Sequence, residues 1–355
     1  MKRIASVELL RFISAMMVII WHYQQFYFPY NFFSDTEILI TNRNEQPFYN
    51  YLSLFYNYGN KGVDLFFIIS GYVFAYVYLI ENKLVNLKSF FSNRFARLYP
   101  LHFLTLITVT ILQFYSVENF DNFFIHPFND AYHFLLNLFF ISGWGFEKGP
   151  SFNGPIWSVS VEIIIYFLFF FLIINSKKNR ILKSVLLVAF FIIFKKIFND
   201  DFLKNINMNL INCGIIFFEG VLVYYLTNKI KDKKIIFFIG IFLLSISLIG
   251  NFKIYVFLPA ILIIFLTLEY LIKGKIWNFF NFLGNLTYGT YLWHLPLQIL
   301  VMIIIKETEC DYSIIDYKIF FLGYIFILIL VSIISFYFFE KKMRLLLKKK
   351  LKSEN

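Results

Sequence analysis

Arg11 and His22 stand eleven positions apart in one apolar run, Val7 to Phe28. A charged or ionisable side chain inside a membrane helix is costly and marks a functional site by default. At 1.5 Å rise per residue the two lie roughly 16 Å apart along the helix axis, about half the hydrocarbon thickness of a bilayer. A guanidinium near one surface and a titratable imidazole deep inside suit chemistry that spans a membrane. Glu162 follows Trp157 by five residues at the head of another apolar run, roughly 7 Å below its edge. His22 and Glu162 are therefore expected at similar depth. A carboxylate that fixes an imidazole's tautomer and stabilises its protonated form makes a general base. The same pair would serve equally as polar glue between helices.

Arg94 and Arg97 precede Leu98-Tyr99-Pro100 at i, i+3 spacing and share a face if that turn is helical. With Arg11 they would form a basic cluster for an anionic ligand, since the arginine fork suits phosphates. Ordinary basic anchoring at a membrane edge explains them as well. His294 lies two residues before Pro296 near the middle of a further run. That proline frees a backbone carbonyl and can kink the helix toward a cavity, while a packed, hydrogen-bonded histidine is the plainer reading. Ser70-Gly71 allows close helix approach or opens space for a thin substrate. His102, His126 and His133 lack Cys or acid partners at ligand spacing, so no metal site is expected. The sequence has no P-loop, dinucleotide fingerprint or Gly-x-Ser-x-Gly elbow.

The elements that must hold these residues follow from composition. Of 355 residues, 59% are hydrophobic and only 15% charged, where a soluble domain holds about 25% charged. Apolar runs recur from end to end and predict an all-α, multi-pass membrane protein. The expected spans are 7–28, 62–80, 99–115, 157–174, 182–198, 210–227, 234–250, 254–272, 284–305 and 318–338, forming one membrane domain over 1–340 with a basic tail at 341–355. The run 132–143 is too short to cross and reads as re-entrant or interfacial. Ten crossings with both termini in the cytoplasm place most of the 33 Lys and Arg on the inner side, among them Lys83, Lys177, Lys273 and the tail. Lys195, Lys196 and Lys204 argue mildly against it. The net charge of +11 is then a topology signal rather than a nucleic-acid surface. No cleavable signal peptide is expected, because the first run is too long for one. Cys213 and Cys310 give no disulfide framework. Phe, Ile, Lys, Asn and Tyr are abundant together, as an AT-rich genome produces, so the 50 Phe carry little functional weight.

Taken in order, these pieces resemble the acyltransferase 3 family of integral membrane acyltransferases. The matching segments are Glu8-Leu9-Leu10-Arg11 with His22, then Gly62 to Gly71, then Arg94-Phe95-Ala96-Arg97-Leu98-Tyr99-Pro100. Trp157-Ser158-Val159-Ser160-Val161-Glu162, Leu286 to His294 and Phe339-Glu340 complete the series. Each is weak alone; in order over nearly the whole chain they are specific. Thr287-Tyr288 stands where the family often has Ser-Tyr, and Lys341-Lys342-Met343 where it often has a proline. Some relatives carry a fused extracytoplasmic esterase-like domain, which this chain is expected to lack.

The resemblance implies transfer of an acyl group, usually acetyl from acetyl-CoA, to a hydroxyl of a cell-envelope carbohydrate. No tightly bound cofactor is implied; acyl-CoA is a co-substrate. It casts His22 and Glu162 as catalytic and Arg11, Arg94 and Arg97 as donor ligands. Ser70, Trp157, Ser158, Tyr288, Tyr291 and His294 become substrate-binding or supporting residues. His22 would deprotonate the acceptor directly or carry the acyl group itself. The outer segments 29–61 and 116–156 hold aromatics suited either to sugar stacking or to an interfacial belt. The expected location is a bacterial cytoplasmic membrane. A transporter or flippase of an envelope precursor, with the same residues lining a pathway and no acyl transfer, is the competing reading.

Overall fold

The computed structural model describes residues 4–30, 45–79, 86–175, 178–197, 208–249, 254–272 and 274–353. Expectations that fall on the remainder, including Lys83, Lys177, Lys204, Lys273 and the stretch 31–44, lie outside these residues. The described chain is helical, and no strand occurs in it. In order the helices are α1 (Ala5–Tyr23, extended by a 3₁₀ turn Gln24–Tyr27), α2 (Tyr49–Tyr58), α3 (Gly62–Tyr78), α4 (Leu87–Phe120), α5 (Ala131–Leu138) and α6 (Ile156–Leu168). They continue as α7 (Arg180–Ile197), α8 (Met208–Lys229), α9 (Lys233–Ile249), α10 (Ile254–Leu271), α11 (Ile276–Glu307), α12 (Lys318–Ser335) and α13 (Lys341–Ser353). Single π-helical stretches, Phe169–Ile174 and Phe336–Glu340, extend α6 and link α12 to α13.

Among the described residues eight helical rods are long and apolar enough to cross a membrane, which makes this a multi-pass membrane protein. α7 and α9 fall short of that measure. α7 carries four basic residues at its ends, and α9 is 17 residues long. The eight residues of α5 reach only about 12 Å, and the segment lies folded against α4, where the His102 ring nitrogen Nε2 meets the Asn137 carbonyl at 2.8 Å.

Two helices are longer than their apolar runs. α4 begins at Leu87, capped by the Asn86 side chain, and continues straight through Pro100. The proline removes one backbone bond, to the Ala96 carbonyl, and does not end the helix. Arg94 and Arg97 therefore ride on the same rod as the membrane-crossing part. α11 likewise runs through Pro296. The carbonyl this proline releases is that of Leu292, and the Asn153 side-chain amide donates to it at 3.1 Å. A loop preceding α6 is thereby stitched to the middle of α11.

The packing centre is α1, which lies against α11 and α3; α3 in turn packs on α8. α3 and α8 meet through reciprocal glycines. A Cβ on Gly71 would overlap the Phe217 carbonyl, and one on Gly220 would overlap the Ile68 carbonyl. Ser70-Gly71 thus serves close approach, and the approach brings Ser70 toward α6. Around it Phe74, Tyr166, Phe169 and Phe217 form a buried aromatic cluster, with Phe74 and Tyr166 stacked at 4.3 Å. Ile4 and Lys348 line one cavity, so both ends of the described chain lie on the same face.

Candidate active site

Three cavities follow one another through the bundle. The first is a vestibule of about 600 Å³ on the face that carries both chain ends, lined by Glu8, Arg11, Arg97, Tyr288 and Glu340 among others. The second is a constriction of about 90 Å³ lined by Arg11, Ser70, Arg94, Arg97, Ser158, Glu162, Tyr166, Tyr288 and Tyr291. The third is a cavity of about 370 Å³ toward the opposite face, lined by His22, His126, Asn137, Trp157 and Tyr291. Arg11, Val73, Arg97 and Tyr288 belong to both the first and the second. Tyr291 belongs to both the second and the third.

The three arginines expected to cluster do so at the constriction. Arg94 lays its guanidinium on the Phe74 ring, 4.0 Å from the centroid, and its buried Nε has no hydrogen-bond partner among the described residues. Arg11 pairs loosely with Glu8 at 3.5 Å. Tyr288 donates to the Leu98 carbonyl at 2.8 Å, tying α11 to α4 one residue beyond Arg97. Glu162 is buried on the same cavity; Tyr166 donates to its Oε2, and the Ser70 hydroxyl is within hydrogen-bonding range. Its Oε1 has no partner among the described residues. Arg94 and Arg11 are the cations acting on it.

His22 does not meet Glu162. The expected contact fails in depth: Glu162 shares the constriction with Arg11, Arg94 and Arg97, while His22 lines the third cavity, and Tyr291 of α11 lines the boundary between the two. The Tyr291 hydroxyl sits 2.9 Å from Ser158 Oγ and donates to the Pro155 carbonyl at 3.0 Å. His22 faces His294 instead, with ring centroids 4.8 Å apart. His22 Nδ1 lies 2.9 Å from the Val18 carbonyl, and His294 Nδ1 lies 2.7 Å from that of Tyr291. A carbonyl oxygen only accepts, so each Nδ1 carries the hydrogen and each neutral ring keeps its lone pair on Nε2. His294 Nε2 is buried with no partner among the described residues. Gln298 donates to the His22 carbonyl at 2.8 Å, and Tyr324 to the His294 carbonyl at 3.0 Å. The arrangement presents two bases of fixed tautomer at one site.

Sequence reasoning missed His126. It reaches the third cavity from the loop between α4 and α5, with its ring against Gly154. The preceding residue, Ile125, is β-branched yet left-handed, with φ of 66°, a strained state that persists only where surroundings impose it. Ile125 N–H donates to the Pro29 carbonyl at 2.7 Å. No spacing in the sequence signals this loop contact. His133 is held elsewhere: its Nδ1 lies 2.7 Å from Asp130, and the Lys148 N–H donates to its Nε2 at 3.1 Å. Among the described residues no group of three or more His, Cys, Asp or Glu side chains is arranged to hold a metal.

Together these make a membrane helix bundle with an arginine-lined constriction and paired bases beyond it. The chain belongs to the acyltransferase 3 family, whose acyltransferase domain matches residues 4–340. It is 32% identical over 127 residues to the peptidoglycan O-acetyltransferase OatA of Listeria monocytogenes, covering 30% of this chain and 18% of that protein. It is 29% identical over 111 residues to the acyltransferase MdmB of Streptomyces mycarofaciens, covering 30% of this chain and 27% of the relative. Both matches thus span under a third of the relatives' length. No solved structure matches.

Proposed function

We propose that this protein moves an acyl group, acetyl in the first instance, from cytoplasmic acyl-CoA to a hydroxyl of a cell-envelope carbohydrate. The observation that carries the reading is the cavity series, which joins three arginines on one side to two imidazoles on the other through Tyr291. The basic residues on the face with both chain ends support a cytoplasmic placement of that face by the positive-inside rule. α7 and α9 present apolar side chains outward, including Phe190, Ile193, Phe238 and Phe242, and lipid contact along them gives ten crossings of a bacterial cytoplasmic membrane. The peptidoglycan acetylated by one relative supports a glycan acceptor in the outer cavity.

In this reading the donor's pantetheine arm enters from the vestibule and passes the constriction. Arg11, Arg94 and Arg97 hold the anionic end. His22 Nε2 takes the proton of the acceptor hydroxyl as its oxygen attacks the thioester carbon. The C–S bond breaks, the ester forms, and the proton passes from the imidazolium to the CoA sulfur. His294 lies beside His22 and supplies a second acceptor for the proton. Glu162 becomes a positioning residue, offsetting the charges of Arg94 and Arg11 where the neutral arm must pass.

Sealed proteoliposomes test the reading. With labelled acetyl-CoA on the face that carries the chain ends and a glycan acceptor on the other, label is expected on the acceptor across the bilayer. No transfer with any acyl-CoA, alongside acceptor movement without acylation, would replace the reading with a transporter.

A further inference from the structure

Beyond the family-matched residues the chain continues into α13, and one face of that helix closes the vestibule. Lys341, Arg344 and Lys348 all line it. Their i, i+3, i+7 spacing places them on one side of the helix. α13 packs along α4, the rod that carries Arg94 and Arg97, and Arg344 lies near enough to Arg97 to act on its charge. Among the described residues, five cations line the vestibule together with the two carboxylates Glu8 and Glu340. A cavity lined mostly by basic side chains attracts an anionic ligand.

Cavity size separates what each compartment can hold. Pockets for drug-sized ligands measure about 300–1,000 Å³. The vestibule, at about 600 Å³, falls in that range, and the constriction, at about 90 Å³, does not. Of these two, the first has room for a phosphorylated nucleoside and the second only for a thin chain.

Resting on the reading above, we propose that Lys341, Arg344 and Lys348 form a phosphate clamp for the nucleotide end of the donor, with the ribose 3′-phosphomonoester as its main ligand. A phosphomonoester carries about −1.5 to −2 charges at neutral pH, and removing it leaves the rest of CoA intact. The clamp makes α13 part of the donor site and selects 3′-phosphorylated donors. The other source of the same chemistry is the phosphate of an anionic lipid, to which basic helices at a membrane surface also bind.

The experiment compares CoA with 3′-dephospho-CoA binding to the full-length protein in zwitterionic nanodiscs. The wild type is expected to hold CoA at least about tenfold more tightly, a difference of about 1.4 kcal/mol. K341Q/R344Q/K348Q is expected to bind both ligands alike, at the affinity the wild type shows for dephospho-CoA. The comparison of ligands on the wild type needs no variant to fold. Equal wild-type affinities overturn the clamp and leave the donor reading standing, as does a triple variant that still discriminates. Displacement of CoA by added phosphatidylglycerol, with no preference for the 3′-phosphate, overturns it in favour of a lipid site. Binding of neither ligand by the wild type overturns the donor reading and the clamp together.

Discussion

The imidazoles of His22 and His294 face one another at 4.8 Å, each with its Nδ1 tied to a carbonyl of its own helix. Two different helices thus present unprotonated Nε2 atoms at one place. His22→Ala is expected to lower acyl transfer by about 10²–10⁴, the usual contribution of a general base. His294→Gln keeps a polar group and should cost about tenfold, the scale of one hydrogen bond. Steady-state rates of CoA release measure both; equal losses in the two variants would remove the distinction between base and partner.

Arg94 and Glu162 share the constriction, and their variants are expected to act on donor affinity. Arg94→Ala and Arg97→Ala should raise the donor KM by tenfold or more, since charge-assisted contacts contribute about 1.5–3 kcal/mol. Arg94→Lys should not rescue, because an ammonium cannot reproduce a planar guanidinium laid on Phe74. Glu162→Gln should likewise change KM more than kcat. A fall in kcat matching that of His22→Ala would restore Glu162 as the direct partner of the base.

Gly71→Ala is expected to destabilise the fold by about 1–3 kcal/mol, because its Cβ would overlap the Phe217 backbone and force α3 from α8. Gly323→Ala is the control. A Cβ there meets nothing within 4 Å, and the helix gains about 0.8–1 kcal/mol of propensity. Thermal unfolding in one detergent should move the two midpoints in opposite directions.

His126 predicts a pH dependence. Burial, with the charge of His294 second, pushes its imidazole down to about 3, against about 6.5 in an unfolded chain. Between these values the unfolded state binds more protons, so stability rises with pH. The contribution is complete above about 6.5 and is lost progressively as pH falls toward 3. His126→Gln should flatten the change in unfolding midpoint between pH 7.5 and pH 5; an unchanged slope would assign that dependence to other groups.

Depth along a single helix was legible in the sequence; relative depth between helices, and which helices are neighbours, were not. Apolar run lengths and the 1.5 Å rise put His22 and Glu162 at comparable depth, whereas Glu162 shares the constriction with Arg11 and His22 lies in the cavity beyond it. Which helices touch depends on side-chain packing across the bundle, and Tyr291 of α11 stands between the two. Arg11, Arg94 and Arg97 were readable as a cluster because charge at one membrane edge has few places to go. Pro296 was readable as a source of a free carbonyl, though its partner Asn153 was not. The apolar run 99–115 left the start of α4 unread, because the helix begins at Leu87 and continues through Pro100. His126 left no signal, because a loop residue's destination is set by contacts such as that between Ile125 and Pro29.

The central claim is that His22 acts on a donor bound elsewhere in the cavity series. Purified protein in nanodiscs, given acetyl-CoA labelled in the acetyl group, tests it by measuring donor affinity and CoA release in one preparation. His22→Ala is expected to bind donor as the wild type does and to release CoA at least about 10²-fold more slowly. Release at the wild-type rate from His22→Ala, or no donor binding by the wild type, would contradict it.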